Sequence, residues 1–269
     1  MIAELSCLNA KIMNHSDDAI KQTDEIVSKL ESLEFFQTQN HKCSYLPEQQ
    51  ASTVFLNPNQ RIDNTLYSQL AELGFRRSGC HVYKPMCRNC QACIPVRIPV
   101  NDFRINRQQR RTKKYNQSLV VRPVDTIDTD EHYTLYQRYI NERHVDGDMY
   151  PASLDQFQSF LSGKWLSTKY FEFRDEGRLV ASSVADVMDN GISAVYTYYD
   201  PEITQRSLGI YAILHLIEQA RQQQLASVYL GYWIEESPKM RYKSVFKPLE
   251  FFSEGKWLRI DKPIRSKSQ

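Results

Sequence analysis

Four of the chain's six cysteines, Cys80, Cys87, Cys90 and Cys93, fall within Cys80–Arg97, CHVYKPMCRNCQACIPVR, and Cys43 stands upstream in HKCSYLP. Cys87-x-x-Cys90-x-x-Cys93 has the spacing of thiolate ligands. Cys43 would complete a four-thiolate site for zinc or an iron–sulfur cluster. Reduced thiols that only pack are the alternative, and Cys80-His81 is a further ligand pair by type. A strongly basic segment follows, Arg104–Lys114. At about 100° per residue, Arg104, Arg107, Arg110, Arg111 and Lys114 share one face of a helix. Charges of one sign with no acidic partner inside the helix disfavour it in isolation. They suit contact with phosphate, although a charged face is commonly just solvated.

These groups need elements to position them. Residues 104–116 read as a helix, as do Glu131–Arg143 and a segment opened by the capping box Ser153-Leu-Asp-Gln156 and running through Leu161. An earlier helix is expected from Ser16, with Ile20, Val27 and Leu30 at helical spacing. The clearest strand signal is Lys169–Asp200, where LVASSVADVM and ISAVYTYYD flank Asp189-Asn190-Gly191. An Asn-Gly pair between β-rich runs marks a hairpin. A helix (Gln205–Gln223), a strand (Ser227–Trp233), a polar loop (Glu235–Lys243) and a strand pair near Leu249–Ile260 complete the chain. The division expected is an extension over 1–34, a module with the cysteines and the basic helix over 35–118, and a catalytic domain over 119–269.

A net charge of +2 excludes a polycation, so nucleic-acid contact would have to come from a local patch. No apolar run reaches the ~18–20 residues of a membrane span, and MIAELSCLNAK lacks the features of a signal peptide. The expected location is the cytoplasm, where thiols stay reduced.

The order of elements in the C-terminal half, helix, antiparallel strands, helix, strand, is that of the GNAT fold of acyltransferases. The expected class is therefore α/β (α+β), a GNAT-like core preceded by a cysteine-containing module. In acetyl-CoA-dependent GNAT enzymes a loop R/Q-x-x-G-x-G/A leads into the second helix, and its N–H groups hold the pyrophosphate. Here Arg206-Ser207-Leu-Gly209-Ile-Tyr211 keeps the first Gly but puts Tyr where a small residue is needed. That argues against coenzyme A as the acyl carrier.

Several separate motifs in order, Phe36–Pro47, Gly74-Phe-Arg-Arg-Ser-Gly79, Cys87–Arg97, Ser207-Leu-Gly209 and Lys239-Met-Arg-Tyr-Lys243, resemble the arginyl-tRNA–protein transferase family. The similarity is greatest to its short bacterial branch. The resemblance implies transfer of leucine from leucyl-tRNA to the N-terminal Asp or Glu of proteins, marking them for degradation by the N-end rule. An arginyl donor, or a non-catalytic RNA-binding protein on the same scaffold, are the competing readings. The implied partners are aminoacyl-tRNA and acidic protein N-termini; neither DNA nor a membrane is expected. Eukaryotic relatives resemble this chain at the cysteines, with pairs thought to hold a cluster, but Cys43-Ser-Tyr-Leu46 has Leu where the second Cys of the first pair would stand.

The implied reaction is aminolysis of an activated ester, which requires neither ATP nor a cofactor. An α-amine with a pKa near 7.7–8.0 is partly neutral at pH 7, so hydrogen-bond donors and positioning matter more than a strong base. Backbone N–H groups of Val195–Tyr199 are the candidate donors. Tyr198, Tyr199, Tyr242 or the ribose 2′-OH would protonate the leaving oxygen. The acceptor's carboxylate calls for a fixed cation. The candidates are Arg76, Arg77, Arg97, Arg206, Lys239, Arg241 and Lys243, with Ser207, Gly209 and Met240 beside them in the same motifs. Lys239–Lys243 stands out because no helical or strand periodicity explains it. His144 in ERHVDGDM is a further candidate, or a plain helix-end cation.

Overall fold

The computed structural model describes residues 32–162 and 167–259. The helix expected from Ser16 lies outside them. The chain first forms β1 (Phe35–Gln37), a short hairpin of β2 (His41–Lys42) and β3 (Gln50–Ala51), then β4 (Thr53–Leu56). Next come α1 (Asn64–Glu72), β5 (Arg76–Ser78), β6 (His81–Pro85) and β7 (Ile94–Pro99). The basic helix follows as α2 (Arg107–Tyr115), then β8 (Val120–Val124), α3 (Asp130–Arg143) and α4 (Leu154–Phe157). The remainder is β9 (Thr168–Asp175), β10 (Arg178–Val187), β11 (Gly191–Tyr199), α5 (Leu208–Gln222), β12 (Ser227–Trp233), α6 (Pro238–Arg241), β13 (Glu250–Ser253) and β14 (Lys256–Arg259).

The fold is mixed α+β around one sheet of eight strands, in the order β14-β13-β7-β12-β11-β10-β9-β8. The Asn190-Gly191 turn joins β10 and β11 as the sequence leads one to expect. Gly191 serves a second purpose: a Cβ there would lie 2.6 Å from the carbonyl oxygen of Ser227, so only glycine lets β12 approach. After β11 the chain crosses over through α5 and returns as β12, parallel to β11. β7 lies between β12 and β13 and is antiparallel to both. The stretch that carries the cysteines thus contributes a strand to the main sheet. Four of the other N-terminal strands make a second sheet, β1-β4-β6-β5, and β2 and β3 pair with each other.

Strand alternation distributes the side chains between two apolar clusters. Phe171 and Phe173 of β9 join the cluster formed with Ala212, Leu216 and Ile217 of α5. Tyr170 joins the cluster formed with Tyr136, Tyr139 and Ile140 of α3. A third cluster holds Leu66 and Leu70 of α1 with Met188, just after β10, and Tyr229 of β12. α3 starts at an N-cap, Thr129, whose side chain accepts from His132 N. The segment after Ser153 is shorter as an α-helix than its capping box suggests; it passes at Gln158 into a π-turn. The loop expected over 235–243 is partly helical. Pro238, set for the first turn, starts α6, and a 3₁₀ turn at Tyr242–Val245 follows.

Candidate active site at the opening of the sheet

The ladder between β11 and β12 is short. It runs from Gly191↔Ser227 to Ser193↔Tyr229 and stops. Beyond it, Val195–Tyr199 lacks a β12 partner, and β12 shifts register between Tyr229 and Gly231. Arg76 sits where the ladder ends. Its Nη2 donates to the carbonyl oxygens of Ala194 on β11 and Tyr229 on β12, each at 3.3 Å. One guanidinium therefore satisfies acceptors that the parted strands no longer offer each other. Lys243 approaches from the turn after α6, and its Nζ donates to the Tyr232 carbonyl and to Met240 Sδ. Both cations are buried, at 6% exposure each.

The other sequence-derived cations have carboxylate partners. Arg77 clasps Asp186 through Nε at 2.7 Å and Nη2 at 2.8 Å, with both side chains closed to solvent. Thr168 and Tyr67 also donate to that carboxylate. Arg97 bridges Glu250 and Glu72 at 2.8 Å and stacks on Trp257. Arg206 pairs with Asp175 at 2.8 Å and donates to the carbonyl of Tyr115, tying the end of α2 to the entry of α5. Lys239 pairs with Asp146 at 2.6 Å. Arg241 is exposed. Ser207 adopts a left-handed conformation, φ 50°, just before α5. Gly209 in its first turn faces the Tyr199 ring. Tyr211, the residue that breaks the diphosphate pattern, packs on Phe173.

The three tyrosines separate. Tyr198 is fully buried, and its hydroxyl lies 2.8 Å from His132 Nδ1. His132 Nε2 lies 3.0 Å from Glu172, which Arg174 and Arg122 also hold, each at 2.7 Å. The Arg174 hydrogen bond above all, then those from Arg122 and His132, pull the Glu172 carboxyl down to about 2 against the opposing effect of burial. Burial raises the Tyr198 phenol above its ordinary value. Tyr198 is thus walled in, with His132 as a hydrogen-bond partner. Tyr199 and Tyr242 keep access, Tyr242 at 41% exposure. Tyr199 lies 4.8 Å from Tyr139, which also meets Tyr196 and the ring of His144. Arg143 covers the Tyr199 ring. Burial, then Lys239, lowers the His144 imidazole below its ordinary value.

The cysteine stretch reaches this region through Cys93, which faces Lys243. Ser44 bonds Asp148, which brings the β2–β3 hairpin to the segment after α3. Cys43, Cys87, Cys90 and Cys93 are half-buried free thiols and Cys80 is exposed. Burial first, then Cys87, Cys43 and Cys90, push the Cys93 thiol up to about 12. Cys80 Sγ faces His81 Nε2 at 3.6 Å. Among the described residues no three His, Cys, Asp or Glu side chains are arranged to hold a metal ion.

α2 presents its charges outward. Its inward residues are Gln109 and Thr112, and a full capping box, Asn106 with Gln109, starts it. Arg104, Arg107, Arg110, Arg111 and Lys114 are all exposed. Two contributors escaped the sequence reading, the His132–Glu172 pair and Gly231. An isolated glycine inside the Ser227–Trp233 strand signals a bulge or a close approach, and that was the available clue.

Fold and site define a mixed α+β protein whose central sheet opens beside buried cations and a group of tyrosines. Residues 131–253 match the family model described as "Arginine-tRNA-protein transferase, C terminus", and residues 41–111 match its N-terminal counterpart. The chain belongs to the arginine-tRNA-protein transferase family. It is 53% identical to a Saccharophagus degradans protein over 86% of this chain and 99% of that one. It is 51% identical to a Pseudomonas fluorescens protein over 86% and 99%, and 50% identical to a Teredinibacter turnerae protein over 87% and 97%. All three relatives are named aspartate/glutamate leucyltransferase.

Proposed function

We propose that this protein transfers leucine from leucyl-tRNA to the N-terminal Asp or Glu of proteins, in the cytoplasm, and so routes them to N-end rule degradation. The observation that carries the reading is the match, at half identity and over nearly their whole length, to relatives named aspartate/glutamate leucyltransferase. The geometry supports it. Antiparallel β9, β10 and β11, a helical crossover and a parallel β12 that parts from β11 agree with a GNAT-like core.

The acceptor's neutral α-amine attacks the aminoacyl carbonyl carbon. The C–O bond to the tRNA 3′-terminal ribose then breaks, the amine loses a proton and the ribose oxygen gains one. Backbone N–H groups of Val195–Tyr199, past the end of the ladder, suit the developing oxyanion. Tyr199 and Tyr242 are the side chains available to protonate the leaving oxygen. The outward cations of α2 suit the tRNA phosphates, and the exposed aromatic rings suit its unpaired 3′ end. The reaction itself calls for no metal or cofactor.

The test is to incubate the protein with aminoacyl-tRNA labelled on the amino acid and with a peptide starting in Asp, Glu or Ala. Label passing from leucyl-tRNA to the Asp and Glu peptides is the expected result. Transfer from arginyl-tRNA alone would overturn the donor. Binding of tRNA without transfer from either donor would leave a binding protein.

A further inference from the structure

Recognition of an acidic N-terminus needs a cation that the protein has not already neutralised. Arg77, Arg97, Arg206 and Lys239 each hold a carboxylate of the chain itself. Arg76 and Lys243 do not: among the described residues neither forms an ion pair, and their hydrogen bonds go to carbonyl oxygens and a thioether. Two buried cations side by side without an anion are costly, so their retention asks for a reason.

Gly231 marks the space between them. It lies at φ +77° in the register shift of β12. Among the described residues, a Cβ built there would have two heavy atoms within 4 Å outside its chain neighbours, Arg76 Nε at 3.7 Å and Lys243 Nζ at 3.9 Å. The missing side chain thus leaves room bounded by two cationic nitrogens. Arg76 Nη2 is spent on the two strands, but its Nε–H has no acceptor among the described residues. The space lies two residues beyond the carbonyl that Arg76 takes from Tyr229, at the mouth of the β11–β12 opening.

We propose that an oxygen of the acceptor's side-chain carboxylate occupies the space over Gly231, accepting from Arg76 Nε–H and Lys243 Nζ, and that this pair sets the preference for Asp and Glu. The proposal rests on the transferase reading above and names its acceptor subsite. The opening that exposes backbone donors to the ester thereby also holds the acceptor's carboxylate, which ties the acceptor's orientation to the reacting carbonyl. The groups facing Lys243 are Arg76 of β5, Cys93 ahead of β7, the Tyr232 carbonyl of β12 and Met240 of α6. Burial, then Arg76, brings its ammonium down to about 7. An arriving carboxylate opposes both effects, so binding of an acidic acceptor draws a proton onto Lys243.

The experiment compares peptides that begin with Asp or with Asn, otherwise identical, on the full chain and on Lys243→Gln and Lys243→Met. Calorimetric binding without tRNA is one readout, and kcat/KM with leucyl-tRNA is the other. The native protein is expected to favour Asp, and both variants to lower the Asp-over-Asn ratio by about 10- to 100-fold, the range for one charged hydrogen bond. Proton uptake on binding the Asp peptide, read by calorimetry in two buffers of different ionisation enthalpy, should disappear with Lys243. An unchanged Asp-over-Asn ratio in both variants would overturn the subsite, as would native binding of both peptides equally. The binding readout needs no tRNA. Asp-selective binding lost in the variants, with no transfer by the native protein, would uphold the subsite while removing the leucyl-transfer reading.

Discussion

Replacing Lys243 by Met should change how stability depends on pH, whatever the substrate. The Lys243 ammonium is pulled from 10.5 to about 7 by burial first and Arg76 second, with Cys93 opposing. Its folded value therefore lies below its unfolded one. The unfolded chain binds more protons between those values, so stability rises with pH across that window. From pH 7, where the folded amine is half protonated, to pH 9 the linkage amounts to about 2 kcal/mol. Burial holds Cys93 protonated through this range, since its thiol is pushed up to about 12. Met keeps an unbranched side chain beside Met240 Sδ and removes the charge, although the Tyr232 carbonyl loses a donor. Urea denaturation of both proteins at pH 7, 8 and 9 measures the effect as a difference, in which other titrating groups largely cancel. The native protein should gain about 2 kcal/mol on the variant between pH 7 and 9. A difference independent of pH would mean that Lys243 is not held as a destabilised buried cation, and the reasoning for the subsite would lose its electrostatic support.

Other changes have equally definite outcomes. Arg77→Met strands Asp186, a carboxylate with no exposure, and should cost about 3–5 kcal/mol in chemical denaturation; a cost near that of a surface pair would be inconsistent with the burial described. Glu172 is held at about 2 by Arg174 first, then Arg122 and His132, below its ordinary 4.5. It therefore contributes stability above pH 4.5 that is lost as pH falls through 2, and acid titration of Glu172→Gln should lack that loss. If α2 touches phosphate, removing Arg107, Arg110 and Arg111 together should weaken tRNA binding and flatten its salt dependence by about 2 in log–log slope. An unchanged slope would make the helix a solvated face.

Local patterns were legible because short-range physics fixes them. The Asn190-Gly191 turn, the Ser227–Trp233 strand and the helix ending at Arg143 appear where turn chemistry and periodicity put them. The placement of β7 between β12 and β13 was not legible, since nothing within Ile94–Pro99 encodes partners more than a hundred residues away. The site was half legible for the same reason. Residue type and motif selected Arg76 and Arg77 together, yet neighbours on a strand face opposite ways. One closes on Asp186 and the other reaches the opening of the sheet. Tyr198 and Tyr199 divide likewise, into a buried partner of His132 and a half-buried ring against Tyr139. The thiols were read from spacing alone, and spacing along the chain does not fix how they converge in space.

The most direct measurement is mass spectrometry of peptides starting in Asp, Glu, Asn or Ala after incubation with the native chain and a mixture of leucyl-tRNA and arginyl-tRNA. Addition of one leucine to the Asp and Glu peptides, with Asn and Ala unmodified, is the predicted result. Arginine on the acidic peptides would contradict the donor, leucine on all four would contradict the acceptor subsite, and no modification of any peptide would contradict the assignment as a transferase.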